Sequence, residues 1–211
     1  AVIGIDVLYV GESDDAAGDA ALVDAAGRSG NVVTAAAATF GSTLVTQGDQ
    51  FYMDTQAVQA WDGPFAALAA VTDTGHINAM LDSDGVLRHV LSYVDVPDVG
   101  RVDAFSRVVY EKYCAAKGIT RRSVPAASGR GFFYLPYTAA PGGYYDGVSV
   151  ADVLEGTVDP DYYAGKIVLI GPYAAGMQDE YVTAVDHASR MYGIEVQANQ
   201  IDALRRGFLP R

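Results

Sequence analysis

Residues Gly165-Lys-Ile-Val-Leu-Ile-Gly171 decide how this chain is read. A short apolar run bounded by glycines is the pattern of a strand covered on both faces, and such strands belong to parallel sheets. The polar segment after a parallel strand is where α/β folds place ligands, because the carboxyl ends of the strands open onto a crevice. Here that segment is 171–183, with Ala175-Gly-Met-Gln-Asp179 at its centre. It leads to Tyr192-Gly-Ile-Glu-Val-Gln-Ala-Asn199 and Ile201-Asp-Ala-Leu-Arg-Arg-Gly207, where Ile194, Ala198, Ile201, Leu204 and Phe208 recur at helical spacing. Arg205 and Arg206 complement the dipole at the end of that predicted helix. We therefore expect 166–170 in the core of the sheet, 171–183 as a contact loop, and a helix closing the chain.

Working outward, residues 1–9 are nearly all apolar and β-branched and predict a central strand. Leu22, Val23 and Ala26 predict a helix over 19–26 that stops at Gly27, and 31–40 predicts a second strand. Strand, helix and strand of this length imply a right-handed parallel crossover. Residues 41–62 fit neither period and read as an insertion or hairpin. A short helix with Pro64 in its first turn is expected over 64–71, then a strand over 76–80.

Residues 86–96 alternate strictly and predict one two-faced strand, with Asp82-Ser-Asp-Gly85 as a hairpin turn before it. Val102, Phe105, Val109, Tyr113 and Ala116 predict a helix that ends at Lys117-Gly118. An aromatic strand over 132–137, a turn at Pro141-Gly-Gly143 and a short helix over 149–154 complete the pattern. The fold class expected is α/β: a mixed, mainly parallel central sheet with helices on both faces and an antiparallel hairpin part. No repeat or linker interrupts it, so one domain is expected over 1–211.

With 14 Lys and Arg against 26 Asp and Glu, the formal charge of -12 repels a phosphate backbone and argues against nucleic acid as a partner. It disfavours an anionic membrane surface too, although Arg205, Arg206 and Arg211 form a local basic cluster. A single cysteine, Cys114, allows no internal disulfide. No run approaches the ~18 apolar residues of a spanning helix, and no charged start followed by an apolar core marks a secretion signal within these residues, so any membrane anchor is expected outside them.

Several motifs fall short of chemistry. Gly147-Val-Ser149-Val-Ala151 lacks the last glycine of a nucleophile elbow, and Ser149 with Asp152 reads better as a helix cap. A serine hydrolase would need His187 as its base. Asp82-Ser-Asp84-Gly85 begins like a calcium loop, but Arg88 stands where a later ligand belongs. Gly165-Lys166 is no phosphate loop, since Pro160 precedes and Ile167 follows. His76, His89 and His187 lack metal-ligand spacing, so neither a metal nor a cofactor is expected.

Polar residues in apolar strands stand out more. Asp6 lies in the first strand and needs a partner if buried, either Arg88 or the loop that carries Asp179 and Glu180. Gly75-His-Ile-Asn78 alternates, which places His76 and Asn78 on one strand face. Tyr162, Tyr163, Tyr173, Tyr181 and Tyr192 gather around the closing loop in a chain of 14 tyrosines, a pattern that suits a pocket or an interface with a second copy.

The closing segment, together with Val2-Ile-Gly-Ile-Asp6, Gly75-His-Ile-Asn78, Asp82-Ser-Asp-Gly-Val86 and Arg88, resembles the type-two CHASE domain. That resemblance implies an extracytoplasmic, non-catalytic sensor of a bacterial transmembrane signalling protein, trimmed here at both ends. It further implies flanking membrane helices and a cytoplasmic nucleotide cyclase, histidine kinase or Ser/Thr kinase. Asp6, His76, Asn78, Arg88, Asp179, Thr183 and Asn199 are the candidate binding residues for a small molecule of unspecified chemistry. A homodimer or an adhesive module is the alternative from another class.

Overall fold

In the computed structural model, residues 1–122, 131–174, 176–177 and 179–207 are described. The first strand, β1 (Val2–Ile5), leads to helix α1 (Ala16–Ser29). Asp15 caps that helix by accepting the Gly18 N–H, an interaction worth about 1 kcal/mol. The helix runs through Gly27 and ends at Gly30, whose left-handed backbone closes it, so it is longer than its apolar spacing predicts.

The next strand, β2 (Val32–Gln47), turns at Gly48-Asp49 into β3 (Gln50–Asp62). The stretch 41–62, read as an insertion or hairpin, is a hairpin: it holds the outer part of β2, the turn and all of β3. Its outer part is solvated, leaving Leu44, Phe51, Tyr52 and Met53 exposed. Helix α2 (Ala66–Ala69) is a single turn, and β4 (Asp73–His76) follows it. The strand expected over 76–80 thus ends where it was to begin.

Residues 86–96 form three short strands, β5 (Val86–Leu87), β6 (His89–Leu91) and β7 (Tyr93–Val96), each paired elsewhere. The breaks fall where carbonyls are diverted: Arg88 accepts from the Leu135 N–H at 2.8 Å and Ser92 from the Ala104 N–H at 2.9 Å. β7 pairs with β8 (Gly100–Asp103), and helix α3 (Phe105–Lys117) ends at the expected Gly118. β6 pairs with β9 (Phe132–Tyr134). The turn at Asp82-Ser-Asp-Gly85 is present, with a Gly85-to-Asp82 backbone bond of 2.9 Å, but it joins no hairpin.

Helix α4 (Val150–Leu154) starts at the predicted cap, where Ser149 and Asp152 form a reciprocal capping box. A 3₁₀ turn (Pro160–Tyr163) leads to β10 (Ile167–Ile170), and β11 (Glu180–Thr183) and β12 (Met191–Tyr192) precede helix α5 (Gly193–Arg206). β11 pairs in parallel with β5 and antiparallel with β12. Phe208 and Arg211, at the end of the predicted apolar stripe and basic cluster, lie outside the described residues.

The central sheet has the order β10-β1-β2, with β4 and β3 pairing successive parts of β2. β10, β1, β2 and β4 are all parallel and β3 is antiparallel, as the mixed α/β class requires. β10 is the terminal strand and only half buried, so it edges the sheet rather than forming its centre.

Helices cover both faces. Val2, Val33 and Ala35 pack under Phe105 and Val109 of α3 and Ile201 of α5. Ile3, Ile5 and Val32 face Leu22, Ala26 and Leu68 from α1 and α2 on the other side. The two-residue period of β1 places its alternate side chains into these two cores. Gly75 makes the first packing possible: a Cβ there would meet the Phe105 backbone of α3.

Candidate functional site

From β1 the chain runs to β2 on one side, while β10 returns on the other. Strand order therefore reverses between β1 and β10, and the crevice beyond their carboxyl ends is a switch point where open α/β sheets take ligands. Asp6 stands at its mouth, its N–H donating to the Ile170 carbonyl at 2.7 Å. The partner it faces is another acid, Asp179. Ile77, Asn78, Tyr181 and Gln197 join the two carboxyls around a cavity of about 30 Å³. That is room for about one water-sized occupant.

Burial first, and repulsion from Asp179 second, push the Asp6 carboxyl up to about 7. Burial also raises Asp179, against the Tyr181 hydroxyl and the Gly193 N–H, which favour its charged form. Two carboxyls in one low-dielectric cavity do not both ionise readily, so the pair retains a proton near neutral pH. Burial likewise raises the Tyr181 phenol and keeps it a donor. Gln197 is buried, and its Oε1 has no hydrogen-bond partner among the described residues.

The cavity abuts the amino end of α5. The Gly193 N–H donates to the Asp179 carbonyl at 3.0 Å, and the Asp179 carboxylate oxygens fill the space that a Cβ on residue 193 would need. Negative charge at a helix amino terminus is favourable, so α5 stabilises the ionised form of the acid beside it.

Of the seven predicted residues, three meet at this cavity: Asp6, Asn78 and Asp179. Asn78 forms wall rather than ligand. Its Oδ1 accepts the Ala38 N–H at 2.9 Å and its Nδ2 donates to the Ala38 carbonyl at 2.6 Å, so a side chain takes over from β4 as the neighbour of β2. His76 is buried behind it, and neither ring nitrogen has a hydrogen bond of good geometry among the described residues. Burial lowers it to about 4, opposed in part by the Leu91 backbone, and it is neutral at pH 7.

Arg88 does not reach Asp6. It holds Asp82 at 2.7 Å and Asp84 at 2.8 Å in the turn, where Asp82 also meets His89 Nδ1 at 2.7 Å. Thr183 is fully buried on β11, pairs in register with Leu87 and has no hydrogen-bond partner for its Oγ1 among the described residues. Asn199 is a clip: its Oδ1 accepts the Thr138 and Ala139 N–H groups at 2.9 and 3.0 Å, and its Nδ2 donates to the Glu195 carbonyl at 3.0 Å.

Gln197 and Gly193 escaped the sequence reading, whereas Tyr181 is one of the tyrosines expected around the closing loop and does line the cavity. Gln197 falls off the apolar stripe of the last helix, which marks it as solvated; it is buried because α5 is covered on nearly all sides. Tyr162, Tyr163 and Tyr173 line a separate, larger cleft along β10. The Ser149 hydroxyl is held by Asp152 at 2.7 Å in the cap of α4.

A family model, the CHASE2 domain, matches residues 1–211, the whole chain. The chain belongs to the CHASE2 family, a family of extracellular sensor domains. Comparisons with curated proteins and with solved structures each return no match. Among the described residues no helix is long and apolar enough to cross a membrane.

Proposed function

We propose that this chain is the extracytoplasmic sensing part of a bacterial transmembrane signalling protein, not catalytic itself. Through a membrane helix, α5 passes a conformational change to a cytoplasmic nucleotide cyclase or kinase. The observation that carries this reading is the seat of Asp179 against Gly193. It makes the charge state and occupancy of the Asp6 cavity a condition on how the amino end of α5 is held. An occupant or proton favouring one placement of Asp179 shifts the balance between two positions of α5.

The test places the full-length protein in vesicles and follows its cytoplasmic output as the outer pH crosses neutrality. Asp6→Asn and Asp179→Asn are expected to fix the output at one level. An output that responds to pH equally in wild type and both variants would falsify the reading.

A second reading, association through the β2–β3 arm, is favoured by exposed Leu44, Phe51, Tyr52 and Met53. Sedimentation over a wide concentration range tests it. Self-association that Phe51→Ser and Met53→Ser abolish supports it, and a monomer at every concentration removes it.

A further inference from the structure

The Asp6 cavity is too small for a metabolite, but the molecule has a second opening of another size. Gly171 lies between them: a Cβ on it would touch Asp6 on one side and Ile194 on the other. Beyond Ile194 runs a cleft of about 810 Å³, floored by the outer edge of β10 and flanked by the Ile194, Ala198 and Ile201 face of α5. Sites for small molecules span about 300–1,000 Å³ and combine apolar walls with a few placed polar groups.

Tyrosines make much of this wall. Tyr113, Tyr144, Tyr145, Tyr162, Tyr163 and Tyr173 all line it. Tyr145 stacks on Tyr173 with centroids 4.2 Å apart, and Tyr173 leans on Tyr192 at 4.4 Å, which fixes the rings in place. Tyrosine faces attract cations. One already does so here, with Lys166 Nζ 3.4 Å from the Tyr162 centroid.

Most of the charges lining the cleft have partners of their own. Asp202 is held by Arg206 at 2.7 Å and by the Tyr144 hydroxyl at 3.0 Å, with Arg205 at 3.4 Å. Asp146 accepts the Val148 N–H at 3.1 Å at the exposed rim. Lys166 rests on Tyr162. Glu195 differs: it is 2% exposed, its Oε1 accepts the Gly142 N–H at 2.7 Å, and its Oε2 has no hydrogen bond of good geometry among the described residues, although the Tyr173 phenol, raised by burial first and by this carboxylate second, lies beside the acid. A buried carboxylate oxygen without a partner is costly, and a cation is the partner that offsets the cost best. No group of three metal-ligating side chains stands among the described residues, so the cation that fits is organic.

We infer that the tyrosine-lined cleft between β10 and α5 binds a small organic amine, its ammonium group donating to Glu195 Oε2 and its apolar body lying against the tyrosine faces. The site names the ligand class for the sensory role proposed above and rests on that reading only for its physiological meaning. Affinity is measured without any signalling output, so failure of one leaves the other standing.

The experiment compares phenethylamine and cyclohexylmethylamine with phenethyl alcohol, a neutral molecule of similar shape, by calorimetry on the chain at neutral pH. Both amines are expected to bind saturably, and phenethylamine at least about tenfold more tightly than the alcohol, the scale of a desolvated cation–π and charge-assisted contact. In Glu195→Gln that preference falls to near unity. Equal affinity for amine and alcohol, a preference that survives Glu195→Gln, or no saturable binding of either amine overturns the assignment. The wild-type comparison decides even if the Glu195 variant fails to fold.

Discussion

The Asp179 carboxylate occupies the position that a Cβ on Gly193 would take, so the acidic cavity and the first residue of α5 cannot move independently. Gly193→Ala must push that carboxylate aside. We expect a loss of about 1–3 kcal/mol, the usual cost of overpacking. We also expect a downward move of the Asp6 titration, because the repelling charge is displaced. Chemical denaturation and carboxyl NMR titration check the two effects, and an unmoved Asp6 would show that burial alone sets its value.

Asp6 should make the protein less stable as pH rises. Its ordinary value is 3.8 and its folded value about 7, so between these the unfolded chain releases a proton that the folded chain keeps. Asp6→Asn abolishes this slope and gains up to about 4 kcal/mol over wild type at alkaline pH, with little difference at pH near 4. Urea unfolding across that range is the measurement. A variant no more stable than wild type at alkaline pH counts against a buried, protonated Asp6.

His76 acts in the opposite direction. Its folded value of about 4 lies below the ordinary 6.5, so its contribution is complete above 6.5 and is lost as pH falls toward 4. His76→Leu sacrifices no hydrogen bond of good geometry among the described residues and should flatten the acid limb by up to about 3 kcal/mol. An unchanged acid midpoint in the same unfolding series would refute a buried neutral imidazole.

Asn199→Ala removes the clip that fastens residues 138–139 to α5. The loss of several buried hydrogen bonds and the cavity left behind should cost about 2–4 kcal/mol. Limited proteolysis should then cut faster within 139–165, the segment over the tyrosine cleft. Asn199→Asp, which keeps the accepting oxygens, is expected to slow that cleavage again.

Gly75→Ala drives a methyl group into the α3 backbone and should cost at least about 2 kcal/mol, because backbone yields less readily than side chains. Gly11→Ala, where nothing stands within 4 Å, is the control and should leave the melting temperature within error.

Much of the architecture was legible because it follows local patterns. The apolar run at Ile167–Ile170, the spacing of Phe105, Val109 and Tyr113 in α3, and the Ser149 cap each carry their cause in a few neighbouring residues. Residues 86–96 were misread because alternation fixes side-chain direction without choosing a partner, and three different strands compete for that stretch. The site was half legible. Asp6 stood out as an acid in an apolar strand, and of its two expected partners the loop with Asp179 meets it, while Arg88 is held by Asp82 and Asp84 only a few residues away. Gln197 and Glu195 carried no local signal, since their burial comes from distant segments folding over α5.

That enclosure has a mechanical consequence. Eleven of the fourteen residues of α5 are buried, and the Ser106 hydroxyl fastens it to α3 through Gln200 Oε1 at 2.6 Å. A rod held in such a sleeve does not bend aside; it slides along its axis or turns about it. Either motion has to trade the Gln200 and Asn199 bonds for another complete set, since leaving them broken inside the protein is costly. On the proposed reading, a movement of the carboxyl end of the helix would therefore go between separate stops, like a ratchet, instead of following a stimulus by degrees.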